Sequence, residues 1–106
     1  MRRGAILQYV VGGQRLRAVV VTADRYNTEN GLVAPLRERA APALTPAFLV
    51  PLSRQDWPTA ATIDLSRTRT LDPSAVTGPA GQLTAETLRL LSIAVRTYLG
   101  AGDPAR

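Results

Sequence analysis

The chain has 106 residues and a formal charge of +5, and all thirteen of its cationic side chains are arginine; lysine, histidine and cysteine are absent. Those absences exclude zinc sites of the usual ligand set, imidazole-activated serine or cysteine nucleophiles, lysine Schiff bases and the P-loop lysine. What remains is the chemistry of the guanidinium, a permanently charged planar fork that grips phosphate bidentately and stabilises charge developing on a phosphoryl group.

Taken in order, Gly4 to Val11 predicts a first strand, broken by Gly12-Gly13, and Arg15 to Thr22 a second, valine-rich strand, so that the two form a hairpin. Asp24 to Asn30, followed by Gly31, is a run of turn formers. Leu32-Val33-Ala34 starts a third strand that is expected to end at Pro35. Arg37 to Pro46 carries charge and two prolines without periodicity and reads as a long loop, a class of segment that often carries function. Ala47 to Leu52 predicts a short apolar strand with Pro51 at its edge or end. Thr59 to Leu71 alternates over Ile63, Leu65 and Arg67, as a strand buried on one face does. Asp72-Pro73-Ser74 turns the chain, and Gly78, Pro79 and Gly81 punctuate it again.

The clearest element is a C-terminal helix. Thr84 is its N-cap, Glu86 lies in the first turn, where the helix dipole favours a carboxylate, Arg96 is near the other end, and Gly100 is the stop. Leu88, Leu91, Ala94, Val95, Tyr98 and Leu99 form one apolar stripe, with Arg89, Ser92 and Arg96 opposite; Ile93 falls outside it, either an ordinary exposed side chain or a subunit contact. Ala101 to Arg106 reads as a disordered tail, leaving residues 1–100 as a single domain.

A basic chain with a pI near 11.0 favours a polyanionic partner, nucleic acid or an acidic protein segment, although the codon bias of a GC-rich genome also enriches arginine over lysine. A domain of this size has a modest core and gains by forming a homodimer. No apolar run approaches a membrane span and no signal-peptide pattern follows Met1-Arg2-Arg3, so the expected location is cytoplasmic.

Several short motifs occur together. Met1-Arg2-Arg3-Gly4 with Ile6, then Arg17-Ala18-Val19-Val20-Val21, then Arg69-Thr70-Leu71-Asp72, Gly81-Gln82-Leu83-Thr84-Ala85-Glu86 and Ala94 through Leu99-Gly100 span nearly the whole chain. In order and spacing they resemble the MazF/PemK toxins of bacterial type II toxin–antitoxin systems, in the wider group that includes CcdB, with R-R-G-[DE]-[IV], R-P-[AV]-[LV]-V, R-[ST]-[ILV]-D, G-x-[LV]-[ST]-x-E and A-[LV]-x-x-x-L-G as the family patterns. Tyr26-Asn27 is similar to the family's loop. The resemblance implies a mainly β (α+β) fold, a small SH3-like β-barrel with a C-terminal helix, working as a homodimer in the bacterial cytoplasm against an acidic, largely disordered antitoxin. It also implies cleavage of single-stranded RNA, without metal or other cofactor, to 2′,3′-cyclic phosphate ends.

This sequence departs from the family pattern at Ala5, Ala18, Arg37 (where active members carry threonine) and Ser66-Arg67 (where the family has an acidic residue and glutamine). The implied catalytic arginine is Arg17, or Arg15 if the register shifts; strand alternation places both on one face. Arg37 and Arg39 are expected either to track phosphates of single-stranded RNA or to belong to a solvated loop. Arg67 and Arg69, two apart on the expected strand, form either an RNA-facing ridge or half of an ion-pair ladder with Asp64 and Asp72. Thr22, Thr45 or Ser53 are candidates for a hydroxyl contact to RNA, and Trp57 for base stacking or for an anchor at the core edge. The general base is not assigned: with no histidine it must be a carboxylate, or the arginine acts electrostatically without one. The rival readings are a CcdB-like gyrase poison and a relative that has lost catalysis and only binds.

Overall fold

The computed structural model describes residues 2–22 and 31–98. Tyr26-Asn27, the rest of the 24–30 loop, Leu99, Gly100 and the 101–106 tail lie outside the described residues.

Local rules of the chain produce the opening hairpin. Strands β1 (Ala5–Val11) and β2 (Gln14–Val20) pair antiparallel with Val11 opposite Gln14, so Gly12 and Gly13 alone make the turn. Both glycines have positive φ, 57° and 79°, as a two-residue turn between right-twisted strands requires. Strand β3 (Leu32–Arg37) lies along β2 with Arg17 opposite Leu36. It runs through Pro35 rather than ending there. Leu32 and Val33 pair with β6 (Arg69–Thr70), and Leu36 and Arg37 pair with β5 (Thr62–Asp64), so Pro35 falls in the gap between those two partners, where its missing N–H breaks no bond. Strand β4 (Leu49–Pro51) adds an edge beside β5.

The expected single strand over 59–71 is instead two short strands split by a 3₁₀ turn at Leu65–Arg67. The cause is Asp64, whose carboxylate accepts the Ser66 N–H at 3.0 Å and the Ser66 hydroxyl, closing a turn that competes with the ladder. The same Asp-x-Ser device recurs at Asp72, which accepts the N–H and hydroxyl of Ser74 and starts a 3₁₀ turn at Pro73–Ala75. A second correction concerns Gly78, Pro79 and Gly81, which lie inside strand β7 (Val76–Gln82). This strand pairs with β1 on one side only, with two register shifts, and an edge strand with bulges tolerates Gly and Pro.

The sheet order is β4-β5-β3-β2-β1-β7, with β6 beside β3. It curls around two apolar clusters without its β4 and β7 edges pairing, so the barrel is open. On one face Ile6, Val19, Val21, Ala34, Leu36, Ile63 and Leu65 meet helix α1 (Ala85–Tyr98) through Leu91, with Leu88, Ala94 and Val95 alongside. On the other, Leu7, Tyr9, Ala18, Val20, Val33 and Leu71 form a second cluster. The helix stripe is as the periodicity predicts over residues 88–95; Tyr98 is largely exposed and rests its ring against Phe48 at 5.5 Å. Thr84 caps the helix by accepting the Thr87 N–H. Gly4, with φ 85°, lies against the helix: a Cβ there would sit 2.5 Å from Leu88 Cδ2.

Candidate functional site

The alternation of β2 sends Val19 into the helix-covered core and, two and four residues earlier, Arg17 and Arg15 out along the same face beyond the core's edge. Gln8 and Val10 on β1 stand directly across from them. Together with Leu16 and Thr77 they line an open cavity of about 450 Å³.

Arg17 is held from two sides. Its guanidinium carbon lies 5.1 Å from the centroid of the Trp57 ring, a cation–π contact. Its Nη1 donates to Glu38 Oε1 at 2.7 Å, and both side chains remain nearly half exposed. The second Glu38 oxygen accepts the Thr59 hydroxyl at 3.1 Å. One guanidinium nitrogen is therefore occupied, and the remaining donors of the fork have no hydrogen-bond partner among the described residues. Arg15 lines the cavity two residues nearer the hairpin turn, beyond the reach of β3.

Trp57 is placed by the residue before it. Asp56 is 6 % exposed, and its carboxylate accepts four hydrogen bonds: from the Ser53 N–H and hydroxyl at 2.8 Å each, the Thr84 N–H at 2.7 Å and the Thr87 hydroxyl at 2.6 Å. Burial pushes its pKa up, but the bonds from Thr84, Thr87 and Ser53 outweigh that and hold it at about 2, below the usual 3.8. This one carboxylate staples the 53–57 loop to the first turn of α1, and the loop presents Trp57 beneath Arg17.

The expected arginine groove divides in two. Glu38, in the bend just beyond β3, turns its carboxylate to Arg17, whereas Arg37, the last residue of the strand, follows Val33 onto the opposite face. There Arg37 Nε stands 3.4 Å from Asp64 Oδ2, in a separate cavity of about 390 Å³ shared with Arg39, Phe48, Leu49 and Thr62. Arg67 Nε reaches the same carboxylate at 3.8 Å from the 3₁₀ turn, so Arg67 and Arg69 do not share a strand face; Asp64 pairs with Arg67, while Asp72 serves its own turn and Arg69 is exposed on β6. Among the candidate hydroxyls, Ser53 donates to Asp56, Thr22 accepts the Leu32 N–H and Thr45 donates to the Pro42 carbonyl.

Glu38 and Thr59 escaped the sequence reading. Their contacts to each other and to Arg17 each span 21 residues, and no local pattern signals them.

Comparison with known families now bears on this arrangement. A family model described as the PemK-like, MazF-like toxin of type II toxin–antitoxin systems matches residues 5–99. The chain belongs to this family. A solved endoribonuclease in complex with its cognate antitoxin, from a mycobacterial species, is similar at a TM-score of 0.76 and 20% identity, over 98% of this chain and 99% of that one. The Mycobacterium tuberculosis toxin MazF-mt6 matches at 0.73 and 17%, covering 91% of this chain and 96% of that one. A further mycobacterial endoribonuclease gives 0.74 and 19%, covering 98% and 95%. These likenesses establish a shared MazF-like fold. Comparison with curated proteins gives no match. No helix among the described residues is long and apolar enough to cross a membrane.

Proposed function

We propose that this toxin is a metal-independent endoribonuclease that cuts single-stranded RNA to a 2′,3′-cyclic phosphate. The observation that carries the reading is Arg17: a guanidinium fixed against an aromatic face and one carboxylate, with donors left unpaired among the described residues, on a residue that lines an open cavity. The nucleophile, the ribose 2′-hydroxyl, belongs to the substrate, so the protein's task is to hold phosphate and nucleophile in line and stabilise the extra charge of the pentavalent transition state. Arginine does this without being consumed or deprotonated. Arg15, on the same face, extends the positive strip toward the neighbouring phosphate. Arg37, Arg39, Arg67 and Arg69 lie outside this cavity and act as phosphate-tracking residues along the flanking RNA. Working partners are a second copy of the chain and an acidic antitoxin segment that competes for the same cations, in the cytoplasm of the bacterium.

The test is incubation of the pure protein with a pool of single-stranded RNAs in EDTA, with end-group analysis of the fragments. Cyclic phosphate ends are expected. Intact RNA across all sequences from a protein that still arrests growth overturns the reading and leaves gyrase poisoning or simple binding in its place.

A further inference from the structure

We propose that Glu38 is the general base of this reaction, oriented by Arg17 and Thr59; the proposal rests on the ribonuclease reading above. A phosphate bound by the open donors of Arg17 sits beside the Glu38 carboxylate, because both anions then share one planar fork. The 2′-oxygen in a reactive pose lies about 3 to 3.5 Å from the phosphorus. In the pose that puts the 2′-oxygen on the Glu38 side of that phosphate, its proton faces the carboxylate. Thr59 fixes Glu38 Oε2, and Arg17 fixes Oε1, so the carboxylate plane is set before substrate arrives. The Trp57 face keeps the guanidinium from following Glu38 out into solvent.

The step balances without a further reactant. The Glu38 carboxylate takes the 2′-hydroxyl proton as the O2′ lone pair forms the O2′–P bond. The P–O5′ bond then breaks, its electron pair stays on O5′, and solvent water protonates it. Glu38 returns its proton to solvent, so the net change is transfer of one proton from O2′ to O5′ with no water consumed. Arg17 of β2 is the charged group bonded to Glu38, and Arg37 and Arg39 flank it in sequence.

The experiment compares kcat and KM against pH for wild type, Glu38→Gln and Glu38→Asp on one RNA that wild type cuts, with folding checked by circular dichroism. Glu38→Gln is expected to lower kcat by about 10²- to 10⁴-fold, to leave KM within about threefold and to abolish the acidic limb of the kcat profile. Glu38→Asp, which retracts the carboxylate but keeps its basicity, is expected to be slower than wild type with that limb retained. A Glu38→Gln enzyme as fast as wild type or faster overturns the proposal and makes Glu38 a cover on the arginine. So does a wild-type kcat profile with no acidic limb. Should Glu38→Gln fail to fold, Glu38→Asp decides: a folded enzyme with wild-type kcat at every pH is the overturning result. Failure of wild type to cut any RNA is a different outcome, which removes the ribonuclease reading itself.

Discussion

Asp56→Asn tests how the helix N-terminus supports the site. In the folded protein this carboxylate titrates at about 2 rather than 3.8, so it binds protons less readily folded than unfolded. A depressed folded pKa contributes stability that is complete above the unfolded value and disappears as pH falls through the folded one. The shift corresponds to about 2 kcal/mol, present at neutral pH and lost between roughly pH 4 and pH 2. Asparagine keeps the shape but not the charge, and its amide nitrogen faces either the Thr84 N–H or the Ser53 and Thr87 donors, whichever oxygen it replaces, and those donors lose their acceptor. The variant is therefore expected to melt roughly 10 °C below wild type at pH 7, taking 4–8 °C per kcal/mol for a domain of this size. At pH 2 to 2.5 the gap should shrink to a few degrees. Thermal unfolding by circular dichroism across that range measures it. Other carboxylates titrate in both proteins and cancel in the difference. A gap that stays constant from pH 7 to pH 2 refutes the argument that the four hydrogen bonds act through the charge of Asp56.

Four further outcomes are expected. Arg17→Ala should slow RNA cleavage on the order of a hundredfold or more, with Arg15→Ala the smaller effect, read from single-turnover rates. RNA affinity should fall steeply between about 50 and 200 mM salt, consistent with release of on the order of three to four counterions, and fluorescence anisotropy titrations give the slope. Sedimentation at micromolar concentration should give a homodimer of about 23 kDa, twice the 11.4 kDa chain, since Leu90 and Ile93 leave apolar helix surface exposed in one copy. Gly4→Ala should destabilise the fold by about 1 to 3 kcal/mol in urea unfolding, because it combines a positive φ with a Cβ driven into Leu88.

Features set by neighbouring residues were readable in advance. The Gly12-Gly13 turn, the Thr84 cap and the stripe through Leu88, Leu91, Ala94 and Val95 all follow from rules that operate within a few positions. Two of the three errors arose where a distant partner changed the meaning of a local signal. Pro35 breaks a strand only if a neighbour needs its N–H, and the gap between β5 and β6 removes that need. Gly78 and Pro79 disfavour a strand generally but not on the outer edge beside β1. Alternation through Ile63 and Leu65 is real burial, yet Asp64 and Ser66 close a turn inside it. The Asp-x-Ser repeat at 64–66 and 72–74 was a legible signal for both turns.

The candidate site was half legible for the same reason. Arg17 was singled out by the likeness of its strand to the family pattern, with Arg15 as the alternative, and the alternation that puts the two on one face holds. What one strand cannot disclose is which residues of other segments join it. The register of β3 decides part of that: Leu36 is a core residue on the helix side, so Arg37 must point to the other face, and the bend that follows the strand brings Glu38 to Arg17. A one-residue slip of β3 against β2 would bring Arg37 to Arg17 and replace an ion pair with two like charges. It would also turn Ala34 and Leu36 out of the core. The packing of apolar side chains under α1 thus keeps a second guanidinium away from Arg17, and the bend after β3 leaves a carboxylate as its neighbour.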